Sequence, residues 1–340
     1  MNKTNIKCPR CHSEKLYKFG FDKQANQKYQ CKECGRQFAP DSVSSRPKSK
    51  YPRCPKCNKA TYLHHKYKHY NRYKCGSRKC NHAFSQYHNL NIDLASSENL
   101  TGSLSMKGMR FPLHTILTAL TLYFLNNTST RAISQFLKVT SNISVSHVTI
   151  SSWVNKFAPY FKEKANIFNA QLDLNSDDWH ADETVVFISG KKYYLWLAID
   201  SETRFVLAFH LTQARDSDAA FILMNQAKSM GKPNNFITDR LPSYNEAVKT
   251  VLNESTHIPV PPMSSDTNNN LIESFNKTFK AWYKTKKGFN SFEKANNLIY
   301  MFILHYNFIR PHGSLNGSTP AEVAGFSTND SNKHNRFIAA

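Results

Sequence analysis

Apolar positions in the last third of the chain repeat on two periods. Within NNLIESFNKTFKAWYK, Ile272, Phe275, Phe279 and Trp282 recur every three or four residues, and Glu273, Lys277, Lys280 and Lys284 fall on the opposite side. That is the pattern of an amphipathic helix lying on a core. Upstream the runs are of strand length: ADETVVFIS (181–189), YYLWLAID (193–200) and RFVLAFHL (204–211) are β-branched and aromatic, the first two joined by a tight Gly190-Lys191 turn. They predict three adjacent antiparallel strands. Ser217 then caps a helix running to about Met230, stopped by Gly231 and Pro233. FITDRLPSY follows with a short apolar run that ends directly at Asp239, a fourth strand terminating in an acid.

Farther upstream the pattern is helical. Leu113, Ile116, Leu117, Leu120 and Leu122 to Leu125 predict one helix. Residues 129–139 predict a second, capped by Ser129 or Thr130 with Ile133, Phe136 and Leu137 inward; residues 144–157 predict a third, with Val148, Trp153 and Phe157 on its buried side. Two short helices across a turn, the second opening with Ser146, His147 and Thr149, outline a helix-turn-helix, although helical hairpins that merely pack are commoner. Near the C-terminus, LIYMFILHYNFI (298–309) is interrupted by His305 and Asn307 and is shorter than the roughly 20 residues a bilayer requires, so a buried helix is expected. Pro311 ends it, Thr319-Pro320-Ala321-Glu322 reads as a capping box with proline in the first turn, and Gly325 closes the short helix.

All eight cysteines lie in the first 80 residues. Cys8-x2-Cys11 with Cys31-x2-Cys34 has the spacing of a four-thiolate zinc site; Cys54-x2-Cys57 with Cys75-x4-Cys80 is a longer variant in which His82 is an alternative ligand. Zinc holds together segments too small to bury a core. Disulfides are the competing reading, and the lack of any stretch resembling a secretory signal argues against them. PDSVSSRPKSK (40–50) and residues 89–108 read as linkers.

Charge sharpens this division. The net charge is +21, of which residues 1–88, with 21 Lys and Arg against 4 Asp and Glu, carry +17. So basic a block, interleaved with Tyr62, Tyr67, Tyr70 and Tyr73, suits a polyphosphate partner, and no amphipathic face is present there to enter a membrane.

The acids of the C-terminal half decide the chemistry. Taken alone, Glu273 and Lys277 are an ordinary surface pair contributing about 0.3 kcal/mol. In a sheet with helices on its faces, however, the first and fourth strands can lie side by side in parallel with the later helix packed against them. Asp182, Asp239 and Glu273 are then expected to converge, with Glu183, Asp178 and Asp266 as nearby acids outside the set. Hard oxygen ligands suit two Mg²⁺ or Mn²⁺ ions about 4 Å apart, acting on a phosphodiester, with Lys277, Lys280 and Lys284 on DNA phosphates.

The stretches DWHADETVVFISGKKYYLWLAIDSETR, ARDSDAA, ITDRLPSY, NNLIESFNKTFK and YNFIRPHGSLNGSTPAEVAG, spanning about residues 177–325, resemble DDE-class insertion-sequence transposases with a retroviral-integrase-like catalytic core. The resemblance implies that Asp182, Asp239 and Glu273 hold the metals; 33 residues separate the last two. RFPLHTILTALTLYFLNNTSTRAISQFL and SVSHVTISSWVNKFAPY resemble the helix-turn-helix of such enzymes. An N-terminal zinc ribbon occurs in some relatives; two in tandem depart from the commonest pattern.

The expected architecture is multidomain: zinc ribbons over 1–40 and 50–88, an all-α helix-turn-helix domain over 109–165, an α/β RNase H-like catalytic domain over 175–326 with a mixed five-stranded sheet and helices on both faces, and a tail over 327–340. The expected activity is metal-dependent cleavage of element ends and strand transfer into target DNA. Two structural Zn²⁺ are expected on Cys8, Cys11, Cys31, Cys34 and on Cys54, Cys57, Cys75, Cys80. Arg310 and His312 either touch DNA or serve the fold. The partners are double-stranded DNA and further copies of the chain during synapsis, in a prokaryotic cytoplasm on the nucleoid and without membrane. A catalytically silent regulator derived from such an enzyme is the first alternative; a nuclease of the same fold is the second.

Overall fold

The computed structural model describes residues 6–22, 25–40, 51–67, 70–87, 100–105, 107–261 and 270–327. Asp266, the tail beyond 327 and most of both linkers fall outside them. The chain divides into two compact units, Met1–Gln86 and Tyr87–Ala340.

The first unit holds two three-stranded sheets, β1 (Leu16–Phe21), β2 (Gln27–Cys31) and β3 (Gln37–Phe38), then β4 (Thr61–Lys66), β5 (Tyr70–Cys75) and β6 (Ala83–Tyr87), with β1–β2, β2–β3 and β4–β5 antiparallel. Few side chains are buried in either, and the cysteines are prominent among them: Cys8, Cys31, Cys54 and Cys75 are 0 to 4% exposed. The turns that carry the cysteines reverse through left-handed residues, His12 and Gly35 in the first sheet and Asn58 and Asn81 in the second.

In the second unit, α1 (Leu113–Leu125), α2 (Thr130–Ser141), α3 (His147–Lys156) and α4 (Ala158–Asn169) form a helical layer. Ser129 caps α2 by accepting from Ala132 N–H, and left-handed Asn142 ends it. Two expected core positions face outward: Phe136 is 43% and Val148 65% exposed, while Ile133 and Leu137 of α2 and Ile150, Trp153 and Val154 of α3 are buried. Val148 lies five residues from Trp153, or about 140° round the helix, too far to share its face.

The remaining elements build one sheet: β7 (Ser176–Ile188), β8 (Lys191–Asp200), β9 (Val206–Thr212), α5 (Ser217–Lys228), β10 (Pro233–Thr238), α6 (Pro242–Val251), β11 (Thr256–Pro259), α7 (Asn270–Lys284), α8 (Phe292–Phe308) and α9 (Pro320–Val323). The strand order is β9-β8-β7-β10-β11, with β7, β8 and β9 antiparallel and β10 parallel to both β7 and β11. The β7–β8 turn is Ser189-Gly190, one residue earlier than expected; both have positive φ, as a two-residue turn matching the strand twist requires. Asp216, not Ser217, caps α5, its carboxylate accepting from Ala219 N–H. Buried Ile272, Phe275, Phe279 and Trp282 turn α7 inward, and Phe124 of α1 stacks on Trp282 at 5.7 Å and on His305 of α8 at 4.8 Å. Helical layer and sheet therefore share one core.

Candidate catalytic site

Parallel pairing of β7 and β10 sets Thr238 opposite Ala181, so the residues that follow, Asp239 just past the end of β10 and Asp182 within β7, emerge side by side. Carboxylate oxygens of Asp182, Glu183 and Asp239 all lie within 4.8 Å of one another. Asp182 and Glu183, adjacent on β7, engage opposite faces of the sheet. Asp182 Oδ2 accepts from Asn276 Nδ2 on α7 at 2.8 Å. On the other face Glu183 receives Nε and Nη2 of Arg215 on one oxygen and the hydroxyl of buried Tyr244, from α6, on the other at 3.2 Å. Arg215 also approaches Asp239 Oδ2 at 3.8 Å, and Asp239 Oδ1 accepts from Leu241 N–H at 3.0 Å.

Burial pushes the Asp182 carboxyl up to about 6, helped by the charges of Glu183, Asp239 and Glu273. Burial also raises Glu183, against the opposing hydrogen bond from Arg215. A cation placed among these oxygens relieves that repulsion. The aspartate pair suits Mg²⁺ or Mn²⁺: Asp182 and Asp239 bring hard carboxylate oxygens within 4.8 Å of each other. Asn276 Oδ1, buried beside Asp182, has no hydrogen-bond partner among the described residues, and a hydrated ion would supply one.

Of the three acids expected to meet, Asp182 and Asp239 are together. Glu273 is exposed on the first turn of α7, three residues before Asn276; its charge reaches Asp182 but its oxygens lie outside the close cluster. Lys277, Lys280 and Lys284 are exposed along the outer side of the same helix. Ser146 accepts from Thr149 N–H at 3.0 Å and meets its hydroxyl at 2.9 Å, capping α3, with His147 half-buried between them. His312 packs edge-on to Tyr306 at 4.5 Å with Nε2 3.2 Å from the Tyr306 carbonyl, and Arg310 is half-buried. Sequence reasoning set Glu183 aside as a nearby acid and missed Arg215, Tyr244 and Asn276. The last carried a signal: an asparagine on the apolar stripe of α7 calls for a buried polar partner.

In the first unit the sulfurs of each cysteine set lie within 4.8 Å of one another. Cys8 and Cys34 are 3.5 Å apart, Cys11 and Cys31 3.5 Å, Cys54 and Cys80 3.8 Å, and Cys57 and Cys75 3.4 Å. Tetrahedral zinc with Zn–S bonds of about 2.3 Å places its sulfurs about 3.8 Å apart, so both sets fit that ion and neither is disulfide-bonded. In the second set Cys80, not His82, completes the four; Cys80 N–H and Asn81 N–H both bond the Ser77 carbonyl at 3.0 Å, an extra turn that absorbs the longer spacing.

Asp182 within β7 and Asp239 just past the end of parallel β10 stand side by side on a sheet ordered β9-β8-β7-β10-β11, and residues 176–312 match the DDE domain family model. Residues 1–35 match the InsA N-terminal domain, a zinc ribbon. The transposase for insertion sequence-like element IS431mec from Staphylococcus aureus is 31% identical over 186 residues, 54% of this chain and 80% of that one. The transposase for IS257 in transposon Tn4003, also from Staphylococcus aureus, is 30% identical over 191 residues, 56% of this chain and 82% of that one. The chain belongs to this family of DDE insertion-sequence transposases. Among solved structures, the HTLV-2 integrase catalytic core domain in complex with magnesium aligns over 44% of this chain and 95% of its own at 16% identity, with a TM-score of 0.34.

Proposed function

We propose that this transposase binds the ends of an insertion element, cleaves them at their 3′ ends and transfers the strands into target DNA, with Asp182, Asp239 and Glu273 holding two Mg²⁺ or Mn²⁺ ions. The observation that carries this reading is the pairing of Asp182 with Asp239 across parallel strands, beneath the helix turn that bears Glu273. When bound, the ions supply an activated oxygen nucleophile and stabilise the leaving oxygen. The chain's part is positional. Asn276 fixes the Asp182 rotamer, Leu241 N–H fixes Asp239, and Arg215, held by Glu183, which Tyr244 steadies in turn, keeps a cation beside Asp239. Glu183 is occupied by Arg215, which leaves Glu273 as the free third carboxylate. A silent regulator has no physical use for repelling acids gathered in this way, so the enzyme is the better reading.

DNA is held, in this proposal, by Lys277, Lys280 and Lys284 along α7, by Arg310 and His312 beside it, and by Ser146, His147 and Thr149 at the start of α3 acting as a recognition helix. Both cysteine sets hold structural Zn²⁺, and two element ends are synapsed by a dimer or larger assembly. No helix among the described residues is long and apolar enough to cross a membrane. The test is Asp239→Asn in the purified full chain. Mg²⁺-dependent nicking of element-end duplex should fall by about 10³-fold or more while end binding is kept. Equal loss of binding and cleavage would mean a folding defect, and wild-type protein that binds ends without nicking them would favour the regulator.

A further inference from the structure

The second three-stranded sheet lies beyond the InsA-like match and has one face turned away from its cysteine set. On β4 and β5, Thr61 pairs with Cys75 and Leu63 with Tyr73; Thr61, Tyr73 and Cys75 are buried, so this face covers the cysteine set. Pairing on the opposite face sets Tyr62 against Lys74 and, past a bulge between Leu63 and His65, sets His65 against Arg72. The Tyr67 ring lies 4.7 Å from that of His65 and extends the row toward the hairpin end, one of its faces taken by buried Tyr70, stacked on it at 4.4 Å. Tyr62 is 46% and Tyr67 36% exposed. The charge is one-sided: residues 50–88 contain ten Lys and Arg and no Asp or Glu, an excess that a four-thiolate zinc site trims by about two.

We infer that this face binds single-stranded DNA, with unpaired bases stacking on Tyr62, His65 and Tyr67 and phosphates held by Arg72 and Lys74. Charge complementarity selects a nucleic acid. The rings select an unpaired strand, because a duplex keeps its base faces inside its own stack and offers only groove edges and phosphates, whereas a free base presents a ring to an exposed ring. Exposed large apolar side chains in described residues 51–87 are all tyrosines, Tyr51, Tyr62 and Tyr67; none is aliphatic, as a protein-docking or membrane-inserting face would need. The inference rests on the transposition reading, in which cleavage at an element end leaves strand termini free to fray.

Fluorescence anisotropy of the full zinc-loaded chain with a labelled oligothymidylate of about 12 nucleotides, and with a mixed-sequence duplex of equal length, tests it. Tyr62→Ala and Tyr67→Ala should each weaken oligothymidylate binding by about 5- to 100-fold and leave duplex binding within about twofold; Tyr62→Phe, which keeps the ring, should stay near wild type. Lys74→Ala should weaken both and lower the salt slope by about one. Wild-type oligothymidylate affinity in the alanine variants would overturn the inference, as would equal loss for duplex, which would mean a charged surface only. If Tyr62→Ala loses zinc, Tyr62→Leu against Tyr62→Phe decides: the leucine variant must be the weaker, and equality overturns the claim. End cleavage measured on the same preparations separates the two readings. Cleavage without single-strand binding sinks this inference alone; single-strand binding without cleavage sinks the transposition reading alone.

Discussion

At Asp182 one side chain carries two opposed demands. Its native carboxyl sits near 6, raised by burial and by neighbouring acids, against 3.8 when unperturbed. A carboxyl raised on folding binds more protons in the native state, so its contribution to stability is complete below pH 3.8 and is lost as pH rises through about 6. A divalent ion restores what ionisation removes. Thermal unfolding at pH 8 should therefore rise by several degrees with saturating Mg²⁺, and by much less at pH 5, where the carboxyl is largely protonated and competes with the ion. A metal shift of equal size at both values would count against a site at Asp182. Glu183 and Glu273 are separated by a second measurement. Glu273→Gln should abolish nicking with no effect on metal-free stability, whereas Glu183→Gln should lower metal-free stability by about 1 to 3 kcal/mol, because it weakens the hold on Arg215 and Tyr244, and should spare part of the activity. Asp239 was legible as the acid that ends a short apolar run, whereas Asp182 lies inside β7, which begins five residues before the expected start at 181. Glu183 was named only as a nearby acid outside the set; that Arg215 and Asp239 draw it into the same cluster depends on contacts no local pattern shows.

Elements were read best where one helix or cap decides the matter alone. The α7 stripe and the capping box needed no partner: Thr319 Oγ1 accepts from Glu322 N–H at 3.2 Å, and Thr319 N–H donates to the Glu322 carboxylate at 2.6 Å. Thr319→Ala should cost about 1 to 2 kcal/mol in a denaturant titration. Long-range contacts were not readable. Asn307 of α8 donates to the Val206 carbonyl at 3.0 Å and accepts from Val206 N–H at 2.9 Å, a clamp on the β9 edge formed across 101 residues of sequence. Asn307→Leu should cost about 2 to 4 kcal/mol by leaving both backbone groups buried and unpaired, and a cost below 1 kcal/mol would deny the clamp its role. Phe136 and Val148 were misplaced for a related reason: an apolar residue on a short helix does not say which neighbour it meets, and the core took Ile133, Leu137, Trp153 and Phe157, as expected, with Ile150 and Val154, which were not named.

Across the whole molecule, composition divided the labour before any contact was known. The N-terminal quarter carries +17 of the +21 net charge and all eight cysteines, and it folds as a unit with few buried side chains other than its cysteines. Metal analysis should find about two zinc ions per chain, and chelation should unfold Met1–Gln86 while the transition of Tyr87–Ala340, which has a core of its own, stays within a few degrees. One zinc per chain would remove the second site. The sheet order was foreseeable only in part, since pairing of the first strand with the fourth follows from the acids that need each other and not from local pattern. The most direct measurement of the central claim is anomalous diffraction from crystals of the full chain with Mn²⁺ and element-end DNA. The account predicts Mn²⁺ between Asp182 and Asp239, with a Glu273 oxygen about 2.2 Å from an ion and Arg215 still on Glu183. Mn²⁺ held by Glu183 with Glu273 in solvent, or no Mn²⁺ between the two aspartates, would contradict it.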